Sequence, residues 1–284
     1  MGTTVGIVGL GLIGGSLGLD LRSQGYRVIG VSRKRQTCQT AVLRKVADEA
    51  SIHLSQLATA EVIFICTPIR AIAPTIAALL PHLSPEAIVT DVGSVKTPIV
   101  EAIMPWCPNF LGGHPMAGTE SQGIDAAQRN LFVNTPYVLT PVESTSTRAI
   151  AQLEEIIGAI GARLYFCSPQ QHDRAVAWIS HLPLLASAGL IESCLGEEEE
   201  EVLQLAQQFA GSGFRDTSRV GGGNPELGVE IARSNREEIL RSLSRYRQNL
   251  DGLITAIEQE DWQKLAAILQ HTESERKKFV ARSC

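Results

Sequence analysis

No C-x-x-C pair occurs among the six cysteines of this chain; Cys38, Cys66, Cys107, Cys167, Cys194 and Cys284 lie far apart. That spacing excludes a zinc ribbon and offers no disulfide framework, so no metal site is expected. Cys66 and Cys167 end apolar, strand-like runs and read as small core residues. A surplus of positive charge is lacking too: 25 Lys and Arg stand against 30 Asp and Glu, a formal net charge of -5. A nucleic-acid partner needs a basic face, which this balance does not supply. No apolar run approaches the roughly 18 residues of a membrane span, so no membrane partner is expected. The first strand is expected within a few residues of Met1, leaving no space for a signal or transit segment and making a reducing cytoplasm the expected compartment. Internal repeats are absent. What is present, 284 residues of which 44% are hydrophobic and 19% charged, suffices for one large or two ordinary domains with a substantial core.

Strand and helix patterns alternate through the first part of the chain. Apolar strands are predicted at Val5–Val8, Arg27–Val31, Val62–Cys66, Ala87–Val92, Phe110–Gly113, Tyr137–Thr140 and Arg163–Cys167. Helices fall between most of them, and such alternation predicts a mostly parallel sheet covered by helices on both faces. After about Ser168 the strand patterns stop. Helical stretches at Gln170–Leu195, Glu200–Ala210, Glu226–Ala232 and Glu237–Ala281, with a break near Glu260, predict an all-helical second domain. The expected boundary therefore separates 1–168 from 169–284. Glu197–Glu201 reads as a solvated loop and helix start, where negative charge suits the helix dipole, rather than as a partner-binding patch. Gly221-Gly222-Gly223 is either a flexible connector or a place of close backbone approach.

Gly9-Leu10-Gly11-Leu12-Ile13-Gly14 is a G-x-G-x-x-G run directly after the first strand and opening the first helix. In that context it predicts a Rossmann-type dinucleotide site, with Gly9, Gly11, Leu12, Ile13 and Gly14 against the cofactor. Gly9 permits the tight turn, Gly11 lets a pyrophosphate reach backbone N–H groups, and Gly14 lets helix and strand pack closely. The second strand then ends in Ser32-Arg33-Lys34-Arg35, where an NAD enzyme usually presents a carboxylate to the ribose 2′-hydroxyl. A hydroxyl and a guanidinium suit a 2′-phosphate instead, so Ser32 and Arg33 favour NADP over NAD. Cys66-Thr67-Pro68, at another strand end, is expected near the nicotinamide half.

Gly112-Gly113-His114-Pro115-Met116-Ala117-Gly118 supplies the candidate base. Pro115 biases His114 toward extended geometry at a strand end, and the flanking glycines read as room for something flat to approach. A neutral histidine there is suited to take a hydroxyl proton as hydride leaves the same carbon. In Asp91-Val92-Gly93-Ser94-Val95-Lys96, Thr97 and Pro98 are expected at N-cap and N1 of the next helix, which leaves Ser94 upstream to hydrogen-bond a histidine or substrate. Lys96 is either structural or a cofactor contact. Within Ser180-His181-Leu182-Pro183, Pro183 frees backbone groups and predicts a kink, and His181 is either a substrate contact or a satisfied core histidine. Arg215 and Arg219, four apart, share a face if helical; one with Asp216 would make an ion pair, and two would hold an anionic substrate as well.

Taken in order along essentially the whole chain, the glycine run, Asp91–Lys96, Gly112–Gly118, Ser180–Pro183 and Phe214–Arg219 resemble the prephenate and arogenate dehydrogenases, oxidative decarboxylases of tyrosine biosynthesis. The resemblance implies that His114 is the base for the ring 4-hydroxyl and that Ser94 orients it. It implies that Arg219 binds the ring carboxylate, that His181 lies in the substrate pocket, and that Glu120 pairs with the arginine region. It also implies a homodimer formed through the helical domain. Prephenate-preferring relatives commonly carry a second histidine after Ser-His-Leu-Pro, where this chain has Leu184. With Ser32-Arg33, that departure favours NADP and arogenate, with prephenate as the alternative. Relatives can add a chorismate mutase or an amino-acid-sensing domain, for which this length leaves no room. A β-hydroxyacid dehydrogenase would need a lysine base in the helical half, and none is suitably placed. A dinucleotide-sensing regulator would need none of Ser94, His114 and Arg219.

Overall fold

The structure is a computed structural model and describes residues 3–119 and 121–280. Eight strands form one sheet: β1 (Thr4–Val8), β2 (Arg27–Val31), β3 (Glu49–Ser51), β4 (Val62–Ile65), β5 (Ile88–Asp91), β6 (Phe110–Pro115), β7 (Pro136–Thr140) and β8 (Arg163–Phe166). Their order is β3-β2-β1-β4-β5-β6-β7-β8, with β1 to β6 parallel. The expected mostly parallel sheet is thus present, with β3 added. β3 escapes a reading by apolar runs because its three residues are Glu, Ala and Ser. β7 runs antiparallel to β6, and β8 parallel to β7. The connections explain this. A parallel neighbour requires a crossover, usually a helix. Between β6 and β7 the described chain holds only a short 3-10 turn at Ile124–Ala126, whereas β7 and β8 are bridged by a thirteen-residue helix.

Helices α1 (Leu12–Ser23), α2 (Arg35–Leu43), α3 (Ile69–Leu79), α4 (Thr97–Ile103), α5 (Thr147–Ala159) and α6 (Pro169–Val176) accompany the sheet. Every residue of β4 is buried, as expected for a strand covered on both faces. Alternate side chains feed two cores. Ile7 and Phe64 pack with Leu17 of α1 and Leu153 of α5, while Val8 and Ile65 pack with Ile72 of α3 and Ile103 of α4. α5 is capped by Ser146, whose Oγ accepts the Ala149 N–H at 3.1 Å.

The remaining helices are α7 (Leu182–Leu195), α8 (Glu200–Phe209), α9 (Ser212–Ser218), α10 (Pro225–Ser234), α11 (Arg236–Glu258) and α12 (Trp262–Val280). Contacts divide the chain into two compact units. The first runs to Ala175 and also takes in Asn224–Ser234. Within it, Glu230 of α10 pairs with Arg70 of α3 at 2.7 Å. The second unit comprises Val176–Gly223 and the chain from Asn235 onward. Helical structure is continuous over Pro169–Leu195, and by length and composition alone it is long and apolar enough to cross a membrane, an 18-residue window within it having a mean hydropathy of 1.4. Leu, Ile and Ala around His181 and Ser187 keep that window's average high, although polar residues interrupt the run.

Candidate active site

Because β1 to β6 are parallel, the ends of β1, β4, β5 and β6 lie along one edge of the sheet, in that order. The chain runs from β1 outward to β2 and β3, then returns to the opposite side with β4, so β1/β4 is the topological switch point where such sheets bind ligands. Gly9 follows β1 with φ +100°, and a Cβ there would lie 2.4 Å from the Cys66 carbonyl oxygen. At Gly14 a Cβ would lie 2.0 Å from the Gly9 oxygen, so helix and strand meet only because both residues are glycine. Gly11 differs. It is the N-cap of α1, no side chain caps that helix, its first turn has no acidic residue, and a Cβ on Gly11 would meet nothing within 4 Å.

Leu12 and Ile13 open α1, so their N–H groups are among those an α-helix leaves without an intrahelical acceptor. Beside them, across the switch point, Thr67 Oγ1 is buried without a hydrogen-bond partner among the described residues, in the Cys66-Thr67-Pro68 loop after β4. Burial, and Asp91 nearby, push the Cys66 thiol far up, so it stays protonated. After β2, Arg33 is exposed and has no ion pair among the described residues. An uncapped helix start, an open glycine and an unpartnered buried hydroxyl on one edge fit the pyrophosphate and amide groups of a dinucleotide.

Further along the edge the β5–β6 ladder pairs only Val89 with Phe110 and Thr90 with Leu111. Side chains then continue what the ladder stops. Asp91 accepts the Gly113 N–H at 3.2 Å and the Gly93 N–H at 2.8 Å. Lys96 is fully buried, pairs with Asp91 and donates to the Gly113 carbonyl oxygen at 2.7 Å. Its ammonium therefore ties β5 to β6, which supports the structural reading of this residue. Of the glycines on either side of His114, Gly112 and Gly113 do not leave room for a flat ligand, contrary to the expectation, whereas a Cβ on Gly118 would meet nothing within 4 Å. A Cβ on Gly112 would lie 2.6 Å from Thr140 Oγ1, and one on Gly113 would lie 2.8 Å from the Asp91 carbonyl oxygen. The strand is packed tightly on both faces.

His114, next along β6, is buried, and its Nδ1 lies 2.8 Å from Nε2 of His172 in α6. The rings meet edge to face, centroids 5.0 Å apart at 68°. His172 Nδ1 in turn lies 2.8 Å from Asp173 Oδ1. Asp173 accepts the backbone N–H groups of Lys96 at 2.7 Å and Thr97 at 2.8 Å. Thus α4 is not capped by Thr97 with Pro98 at N1, as expected; the helix begins at Thr97, and its cap is supplied from 76 residues away by Asp173. Burial alone would raise the Asp173 carboxyl, but hydrogen bonds from His172, Thr97 and Lys96 hold it below the ordinary value. Ser94 Oγ is shielded and has no hydrogen-bond partner among the described residues. His172 and Asp173 escaped the sequence reading because Gln170-Gln171-His172-Asp173-Arg174 has the polarity of a solvated helix start.

In the second unit a π-helical turn, Ala177–His181, precedes α7. Pro183 has no N–H for the carbonyl four residues back, and the wider turn absorbs that gap where a kink was expected. His181 is buried, and Asn235 Nδ2 donates to its Nδ1 at 3.1 Å. Arg215 lies in α9, and Arg219 opens the 3-10 turn Arg219–Gly222; both are exposed. That turn is seated closely on α7: a Cβ on Gly221 would lie 2.5 Å from the Ala188 nitrogen, and Ser187 Oγ donates to the Thr217 carbonyl. Of the two readings of the glycine triplet, close backbone approach is the one observed. Glu120 lies outside the described residues.

Residues 17–166 match the family model described as prephenate dehydrogenase, nucleotide-binding domain, and residues 168–271 match prephenate dehydrogenase, dimerization domain. The chain belongs to the prephenate dehydrogenase family. Among its relatives, the prephenate dehydrogenase of Bacillus subtilis is 32% identical over 93% of this chain and 73% of its own. The cyclohexadienyl dehydrogenase of Zymomonas mobilis is 31% identical over 98% of this chain and 95% of its own. The crystal structure of Synechocystis arogenate dehydrogenase is 55% identical, covers 98% of this chain and 100% of its own, and superposes with a TM-score of 0.87. The prephenate dehydrogenase of A. aeolicus, solved with hydroxyphenyl propionate and NAD+, reaches 0.92 at 26% identity over 98% and 99%. A prephenate dehydrogenase family member is an oxidoreductase with a nucleotide-binding domain, and the sheet edge described above has the form that such binding requires.

Proposed function

We propose that this chain is an NADP-dependent arogenate dehydrogenase, converting arogenate to tyrosine with loss of carbon dioxide. The observation that carries the reading is His114, fixed by His172 at the ligand-binding edge of the sheet, beyond the glycine turn and Thr67. When bound, NADP supplies the hydride acceptor for the ring carbon that bears the hydroxyl. His114 Nε2 accepts that hydroxyl's proton as the C–H electron pair departs. The bond from ring to carboxylate then breaks, its electrons complete the aromatic ring, and the proton held at Nε2 returns to the phenolic oxygen. Gly9, Gly11, Leu12, Ile13 and Gly14 hold the pyrophosphate, and Cys66, Thr67 and Pro68 face the nicotinamide half. Ser94 orients the reacting hydroxyl through its unpartnered Oγ. Arg219, with Arg215, receives substrate carboxylate charge, and His181 lines the substrate pocket.

Exposed, unpaired Arg33 beside Ser32, and no carboxylate at that strand end, support NADP over NAD. Arogenate over prephenate is supported by Leu184 and by the 55% identity to the Synechocystis arogenate dehydrogenase. The chain works as a homodimer paired through its helical unit. In support, α8 and α12 bury no residue at all within the single chain, and Phe209, Trp262 and Leu269 stand exposed. Such apolar surface calls for a partner surface.

The test is formation of the reduced dinucleotide, NADPH or NADH, with each pairing of NADP or NAD with arogenate or prephenate. Turnover is expected with NADP and arogenate and at most slight with prephenate. His114→Asn should lose about 10³-fold in kcat. Arg33→Glu should lower the preference for NADP over NAD at least about tenfold. Prephenate as the better substrate would overturn the specificity assigned; no turnover of either compound would overturn the function.

A further inference from the structure

The contacts behind His114 determine which of its nitrogens holds the proton. Lys96 N–H and Thr97 N–H can only donate, so Asp173 receives them as a carboxylate, Oδ1 from Lys96 and Oδ2 from Thr97. An acceptor at Oδ1 requires a donor on His172, so the His172 proton sits on Nδ1. A neutral imidazole has one N–H, which makes His172 Nε2 an acceptor. Nε2 faces His114 Nδ1 at 2.8 Å, and that contact is a hydrogen bond only if His114 donates. The proton of neutral His114 is then committed to Nδ1. The lone pair is left on Nε2.

We propose that His172 and Asp173 are positioning residues for the base, a relay that holds His114 in the Nδ1–H tautomer so that Nε2 is always the accepting nitrogen. The proposal rests on the assignment of His114 as base. It also gives the imidazolium a place: once Nε2 takes the substrate proton, Nδ1–H still donates to His172, whose own proton faces a carboxylate. The relay is dry, with His172 and Asp173 both buried, so no water competes for either bond. Its far end is anchored to the backbone of α4, which ties the ring orientation to the sheet edge itself.

The test reads the proton directly. Long-range 1H–15N spectra of the 15N-histidine-labelled full chain, with His114 assigned from the His114→Gln spectrum, are expected to show Nδ1 protonated and Nε2 unprotonated at neutral pH. A proton on Nε2 of His114, as an imidazolium at His172 would enforce, overturns the relay. In kinetics, His172→Leu is expected to lower kcat about 10²-fold or more with KM for the cofactor within about twofold. His172→Gln, which keeps an oxygen acceptor facing Nδ1, should recover at least about tenfold of that loss. Equal kcat in the wild-type chain and His172→Leu, or no recovery in His172→Gln, overturns it. If the wild-type chain oxidises neither arogenate nor prephenate, the function assigned above falls, whereas the tautomer remains readable in the spectra.

Discussion

Lys96 carries a charge into a place with no water. Burial pulls its ammonium pKa down, and the opposing pull comes from Asp91, which is equally buried. Such a pair adds little net stability when intact, but breaking it strands the remaining charge. Lys96→Met should therefore cost roughly 3–5 kcal/mol in chemical denaturation, and Lys96→Met combined with Asp91→Asn should cost less than the two single changes summed. Additive costs would show that the two groups do not depend on one another. Gly112 and Gly113 belong to the same account. Both faces of β6 are filled against them, so the strand that presents His114 cannot shift without disturbing Asp91, Thr140 or Tyr137.

Helix α4 is an element whose start is built from elsewhere in the chain. Its first N–H groups, from Lys96 and Thr97, are satisfied by Asp173 of α6, so the two helices share one carboxylate. Because the folded carboxyl is held below its ordinary value of 3.8, the ionised form stabilises the fold fully at pH above that value. That contribution is lost as pH falls through the lowered value. Between pH 7 and pH 3, wild-type stability in urea should fall more steeply than that of Asp173→Asn; parallel curves would mean the carboxylate contributes nothing. In α1 the same need for a cap is left open, with glycine at the N-cap and no acidic first turn. The contrast separates a helix start closed by a side chain from one left open, as the proposed dinucleotide site requires.

At the scale of the molecule, the two cores lie entirely in the first unit. The helical unit buries little of its own apolar surface: α7 buries only Ser187, and α8 and α12 bury nothing. The pairing proposed above would give such a unit its core from a second copy. Sedimentation at micromolar concentration should give roughly twice the 30.6 kDa chain mass, and the apparent melting temperature should rise with protein concentration. A monomer with concentration-independent melting would exclude the pairing.

Much of this was legible beforehand. The strand–helix alternation, the glycine run after the first strand, and the loss of strands past Ser168 rest on periodicity and turn chemistry within a dozen residues. Those same local rules missed β3, which has no apolar run. They could not decide between two readings of the glycine triplet, nor see that Lys96 would meet Asp91 and the Gly113 carbonyl.

The order of residues by itself determined the dinucleotide fold, the family and the histidine at the strand end, because each is written in neighbouring residues through backbone geometry. Only the tertiary structure decided what surrounds that histidine. His114 meets His172 across 58 positions, and Asp173 caps a helix 76 positions away. Such meetings depend on how the sheet and its helices pack, and a buried polar group takes whichever partner that packing brings within reach.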